Sequence, residues 1–122
     1  MKTVLLVDDS TTMLMSMKAG LEISGFQVEV AGDGEQAMQK LDSGWKPDLI
    51  ITDIHMPKMD GIEFIRQARR KLRFPPILAL TTDGQRTRRD QARELGATGW
   101  LLKPVGGADM LRVIKQVSVQ LA

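Results

Sequence analysis

Short apolar runs alternate with longer amphipathic stretches along the whole chain. The runs Val4–Val7, Val28–Val30, Leu49–Ile51, Ile77–Leu80 and Trp100–Leu102 are brief, mostly rich in β-branched or leucine residues, and bounded by Asp, Gly or Pro. Such runs predict buried parallel strands, which are apolar on both faces rather than alternating. Between them the period changes. Met13, Leu14, Met17 and Leu21 recur at helical spacing, with Gly25 as the stop. Asp33 followed three residues later by Gln36 resembles a capping box opening a second helix. Ile62, Ile65, Ala68 and Leu72 mark a third helix. Ala92 and Leu95 give the fourth a thin stripe closed by Gly96, and Met110, Ile114 and Val117 set the fifth over the core.

Five strand–helix units in strict alternation predict an α/β fold, a doubly wound five-stranded parallel sheet with helices on both faces. Right-handed crossovers then bring the C-terminal ends of all strands to one edge, where open α/β sheets bind ligands. The residues at that edge are Asp8-Asp9-Ser10, Asp53-Ile54-His55, Thr81-Thr82-Asp83 and Lys103-Pro104.

The 122 residues suit one domain over positions 1–122, with no room for an output domain. No cysteine is present, which excludes thiolate chemistry and suits a cytoplasmic location. The N-terminal run is too short for a signal peptide, and no apolar stretch approaches a membrane span, so no membrane insertion is expected. A net charge of +2, with acids and bases mostly interspersed, gives nucleic acid no compositional support as a partner.

The strand ends change the picture most. If the first and third strands are neighbours, Asp8, Asp9 and Asp53 converge, and three uncompensated carboxylates repel. A hard divalent cation resolves the conflict, since magnesium takes oxygen ligands and binds carboxylates together with phosphate. Lys103 adds a fixed positive charge and Thr81 a hydroxyl donor. An acid, a metal, a cation and a hydroxyl are the parts that phosphoryl transfer uses: the acid attacks phosphorus while the cations offset charge on its oxygens.

The segments Val7-Asp8-Asp9-Ser10, Asp53-Ile54-His55-Met56-Pro57, Met59-Asp60-Gly61, Thr81 and Trp100-Leu101-Leu102-Lys103-Pro104 together resemble the response-regulator receiver domain of two-component signalling. The resemblance covers essentially the whole chain and leans toward stand-alone CheY-like receivers of the chemotaxis type. It implies a flavodoxin-like (βα)5 fold with strand order 2-1-3-4-5. It further implies that Asp53 accepts phosphate from a histidine kinase (CheA-like in the chemotaxis case). Asp8, Asp9, Asp53 and the backbone carbonyl of His55 hold Mg2+ or Mn2+, and Lys103 pairs with the phosphoryl group. Thr81 moves to hydrogen-bond that group, and Trp100 changes rotamer toward the space vacated. The signal leaves through the face of the fourth helix, fifth strand and fifth helix, toward a target such as the flagellar motor switch; the alternatives are a phosphate sink or relay, or a single-domain regulator of a target outside chemotaxis. The chain is expected to be a monomer, a self-phosphorylating acceptor with intrinsic autodephosphorylation rather than a turnover enzyme. The Lys103–Pro104 peptide bond is expected to be cis.

Departures from the commonest pattern are informative. Trp100 stands where Tyr or Phe is more usual, and Thr82 where Ala or Gly is common. His55 and Asp83 occupy positions that tune phosphate lifetime in the family. The fourth helix carries Arg86, Arg88, Arg89 and Arg93, read first as a solvated face and second as a dock for an acidic patch. A nucleotide or flavin binder would share the fold, but Asp8-Asp9 would repel a phosphate lacking a metal. An Asp-nucleophile phosphatase would carry a second acid two residues after the nucleophile, where His55 stands.

Overall fold

The structure is a computed structural model that describes residues 3–81, 86–103 and 107–121. Five strands, β1 (Thr3–Val7), β2 (Gln27–Ala31), β3 (Leu49–Asp53), β4 (Ile77–Thr81) and β5 (Gly99–Leu102), form one parallel sheet in the order β2-β1-β3-β4-β5. Helices α1 (Thr11–Ile23), α2 (Gly34–Asp42), α3 (Gly61–Lys71), α4 (Arg86–Glu94) and α5 (Gly107–Leu121) alternate with them. The chain has the flavodoxin-like fold. Every predicted strand is present, each one or two residues longer than its apolar run. Ladder hydrogen bonds continue past the apolar residues into Thr52-Asp53 and Thr81.

Alternation along each strand divides the core in two. Val4 and Leu6, with Leu49, Ile51, Leu78 and Leu80, face α1 and α5; Leu5 and Val7, with Ile50, Ile77 and Ala79, face α2, α3 and α4. Because both faces are covered, β3 is buried along its entire length, including Asp53. Each fully buried Leu or Ile contributes roughly 1.5–3 kcal/mol, so this central strand is a rigid support for whatever its last residue does.

Local chemistry fixes the helix ends. Ser10 caps α1, its Oγ accepting from the Met13 N–H at 3.3 Å. At α2 the Asp33 carboxylate accepts from Gln36 N at 2.9 Å, but the return bond differs from a true capping box. Gln36 Oε1 accepts from the Gly32 N–H, one residue before the cap. Leu72 ends the third helical stripe from outside α3, as an extended C-cap whose N–H still donates to Ala68 O. Gly25 and Gly96 stop their helices with φ of 98° and 120°, which side chains disfavour.

Candidate phosphoryl-acceptor pocket

The switch point in strand order lies between β1 and β3, and the two strands carry Asp8 and Asp53 to the same edge. Oxygen atoms of Asp8, Asp9 and Asp53 lie within 4.8 Å of one another. Asp8 is fully buried and Asp53 nearly so, while Asp9 is exposed at the rim. The turn after β1 is locked by its own chemistry: Ser10 N–H donates to Asp8 Oδ1 at 3.0 Å before Ser10 caps α1. The pocket therefore owes its shape to a helix cap as well as to the sheet.

Lys103 reaches in from the end of β5. Its ammonium donates to Asp53 Oδ2 at 2.8 Å and lies 3.2 Å from Asp8 Oδ2. The second contact is an ion pair without an aligned hydrogen bond, and Asp8 Oδ2 is left buried without a hydrogen-bond partner. Burial works against the Lys103 charge. The hydrogen bond and charge of Asp53, followed by the charge of Asp8, outweigh it and hold the ammonium above the ordinary lysine value. Three carboxylates against one ammonium leave two negative charges uncompensated, the charge of one divalent cation. The donor set is all oxygen, one buried oxygen has the Lys103 ammonium nearby but no hydrogen bond, and one acid opens to solvent. These features fit Mg2+ or Mn2+, held by Asp8, Asp9 and Asp53.

The Thr81 hydroxyl, at the end of β4, is also fully buried and has no partner. Buried polar atoms are rarely left unsatisfied, because each costs about 1–3 kcal/mol. A buried hydroxyl without a partner, on the strand next to Asp53, marks a site prepared for an incoming group rather than for stability. The backbone N–H of His55 lies 3.4 Å from Asp53 Oδ1, and the His55 side chain is exposed, so main chain rather than imidazole addresses the acceptor. Thr82, Asp83 and Pro104 lie outside the described residues, with the tuning and cis-peptide expectations attached to them.

Two site residues exceed what the sequence reasoning assigned. A Cβ on Gly61 would stand 2.0 Å from Asp53 O and 2.7 Å from Ile54 Cα, and Gly61 N–H donates to Ile54 O at 2.7 Å. Only glycine lets the start of α3 press on the backbone of the acceptor. Asp60 caps α3 through Glu63 N at 3.0 Å, and its other oxygen accepts from Arg88 of α4 at 2.9 Å. The signal was present as Asp60-x-x-Glu63, a helix-start pattern inside a segment read only as a motif.

Arg88 is thus paired with Asp60. Arg89 and Arg93 lie over the ring of Trp100, their guanidinium carbons 5.2 and 5.0 Å from its centroid. The expected solvated arginine face is therefore largely turned inward: Arg88 and Arg89 are half-buried, and Arg93 is exposed yet still on the ring. Trp100 itself is half-buried against the core on the α3 and α4 side.

Comparison with known proteins agrees with this geometry. Residues 4–115 match the family model described as "Response regulator receiver domain". The chain is 36% identical over 116 residues to the alkaline phosphatase synthesis transcriptional regulatory protein PhoP of Bacillus subtilis. That match covers 95% of this chain and 48% of PhoP. It is 38% identical over 117 residues to the transcriptional regulatory protein CpxR of Escherichia coli strain K12, covering 96% of this chain and 49% of CpxR. The chain thus spans about half the length of these curated relatives. Among solved structures, the chemotaxis response regulator CheY4 of Vibrio cholerae superposes with a TM-score of 0.89 at 37% identity, covering 96% of this chain and 98% of that one. With its strand order, its acidic edge and a family match over nearly its whole length, the chain belongs to the response regulator receiver domain family.

Proposed function

We propose that Asp53 accepts a phosphoryl group from a histidine kinase and that the chain passes the resulting change of shape to a protein target. Receiver domains as a family accept phosphoryl groups from histidine kinases and act on downstream targets. The observation that carries the assignment to this residue is the contrast around Asp53. Its carboxylate is nearly buried and held by one lysine that also pairs with Asp8, and the neighbouring strand ends in Thr81, whose buried hydroxyl has no partner.

One Asp53 oxygen attacks phosphorus, the new O–P bond forms as the donor's N–P bond breaks, and the imidazole leaves with the bonding electron pair. Lys103, already hydrogen-bonded to Asp53, keeps its ammonium against the developing charge. Thr81 supplies the donor that has no partner at rest. Asp8 and Asp9 with Asp53 would hold a divalent cation, which when bound offsets charge on the phosphoryl oxygens. Gly61 and Ser10 keep the two acidic turns in place. The chain acts as an acceptor that returns to rest by hydrolysis, not as a turnover enzyme.

Beside a role as phosphate sink or relay, two routes of output have support from named relatives. The similarity to CheY4, named as a chemotaxis response regulator, favours a chemotaxis role, with the motor switch as target. The names of PhoP and CpxR favour a receiver that governs transcription. Capture of partners by activated and resting protein separates them: phosphorylation-dependent retention of a switch protein supports the first and excludes the second.

Trp100 reports on the pocket. Magnesium with a small-molecule phosphodonor should change tryptophan emission, and Asp53→Asn should abolish the phosphodonor response. A response that survives in Asp53→Asn would move the acceptor elsewhere.

A further inference from the structure

We propose that Arg89 and Arg93 are positioning residues for Trp100, holding its ring under α4 and thereby setting how readily the pocket takes up a phosphoryl group. The inference rests on the phospho-acceptor reading and extends it to residues outside the pocket.

The two arginines are four positions apart on α4, so they present one face of the helix at successive turns. Both guanidinium groups lie over the ring at cation–π distance. Arg89 Nε is buried with no acceptor, so this side chain forgoes a hydrogen bond in favour of the ring. Arg88, the residue before Arg89, fixes α4 to Asp60 in the loop that follows the acceptor strand. The helix is therefore tied at one point to the acceptor loop and at another to β5.

Register supplies the path between ring and pocket. Trp100 pairs with Ala79, and Thr81 follows two residues later on the same face of β4. Trp100 and the orphaned Thr81 hydroxyl are thus diagonal neighbours on one face of adjacent strands. If Thr81 turns toward a phosphoryl group, the space it leaves opens beside the ring. The arginines oppose that motion by stabilising the ring where it is. A ligand can move this balance only by its preference for one arrangement, so weakening the resting arrangement raises apparent affinity for a phosphoryl mimic.

The test uses a Trp45→Phe background, in which Trp100 is the sole tryptophan. Arg89→Ala/Arg93→Ala is compared with the parent and with Arg89→Lys/Arg93→Lys. Acrylamide quenching of resting Trp100 and the midpoint of a beryllofluoride titration with magnesium are read by emission. The alanine pair should raise quenching and lower the midpoint roughly three- to tenfold, the factor that about 0.6–1.4 kcal/mol produces. The lysine pair should fall between, since lysine keeps the charge but not the planar stack. If the alanine pair does not fold, the exposed Arg93→Ala alone should give a smaller shift in the same direction. A responsive parent whose midpoint and quenching do not change on substitution overturns the positioning role alone. A parent that never responds to beryllofluoride defeats the phospho-acceptor reading, and the proposal with it.

Discussion

The two edges of the sheet both carry polar groups but treat them in opposite ways. At the N-terminal edge, Arg69 donates from its three guanidinium nitrogens to the carbonyls of Leu72, Arg73, Pro75 and Gly96, at 2.8–3.4 Å. Thr98 Oγ1 accepts from Ile77 N, and Asp48 accepts from both the N–H and the hydroxyl of Thr3. These groups satisfy one another. At the C-terminal edge, the buried Thr81 hydroxyl has no partner, Asp8 Oδ2 accepts no hydrogen bond, and the acids outnumber the lysine. One edge is built to hold the fold, the other to receive something. Residues of the first should change stability without chemistry, and residues of the second chemistry with little loss of stability.

The largest expected effect tests the holding edge. Arg69→Ala removes a clamp that joins the end of α3 to the loops before β4 and β5, and strands several carbonyls. It should lower stability by about 3 kcal/mol, visible as a fall of roughly 10 °C in the melting temperature. The fraction still folded should take up phosphate normally. Lost uptake at full folding would erase the distinction between the edges.

Gly61→Ala probes where holding and receiving meet. Its Cβ would collide with the Asp53 main chain, so the acceptor turn must shift. A stability loss of about 2 kcal/mol is expected, together with slowed phosphoryl uptake. An intact uptake rate would show that the backbone at Asp53 has freedom that the packing denies.

How much of this was legible in the sequence differs between the edges for a physical reason. Asp8, Asp53 and Lys103 could be brought together on paper because crossover handedness sends every strand end to one side, so position along the chain implied proximity. Arg69 carried no such sign. It sits in the last turn of an amphipathic helix, where arginine is ordinarily solvated, and its partners are carbonyls of an irregular loop that no pattern specifies. The inward turn of Arg88, Arg89 and Arg93 depends on the rotation of α4 about its axis. A stripe as thin as Ala92 and Leu95 does not fix that rotation. Trp100 was placed beside the pocket by motif, but the two guanidinium groups over it are a tertiary fact.

A smaller effect with the opposite sign sharpens the comparison. Asp8→Asn removes a buried charge from an over-acidic cluster. It should leave stability without magnesium unchanged or raised by up to about 1 kcal/mol, while weakening magnesium binding measured by calorimetry. A marked loss of stability would mean that Asp8 holds the fold after all.

The smallest effect is in pH. The folded Lys103 ammonium titrates above its ordinary value of 10.5, held by Asp53 and Asp8 against the cost of burial. Its contribution to stability is therefore fully present below about 10.5 and is lost as pH rises through the higher folded value. Chemical denaturation across that alkaline range should show a slope that Lys103→Gln lacks. An identical slope in the variant would place the alkaline transition on other groups.

The most direct measurement of the central claim is intact-mass spectrometry after incubation with magnesium and a small-molecule phosphodonor, followed by peptide mapping. A single added phosphoryl group on Asp53, labile to base and missing from Asp53→Asn, is the predicted result. Modification of Asp53→Asn to the same extent, or none in the parent under conditions where it binds magnesium, would contradict it.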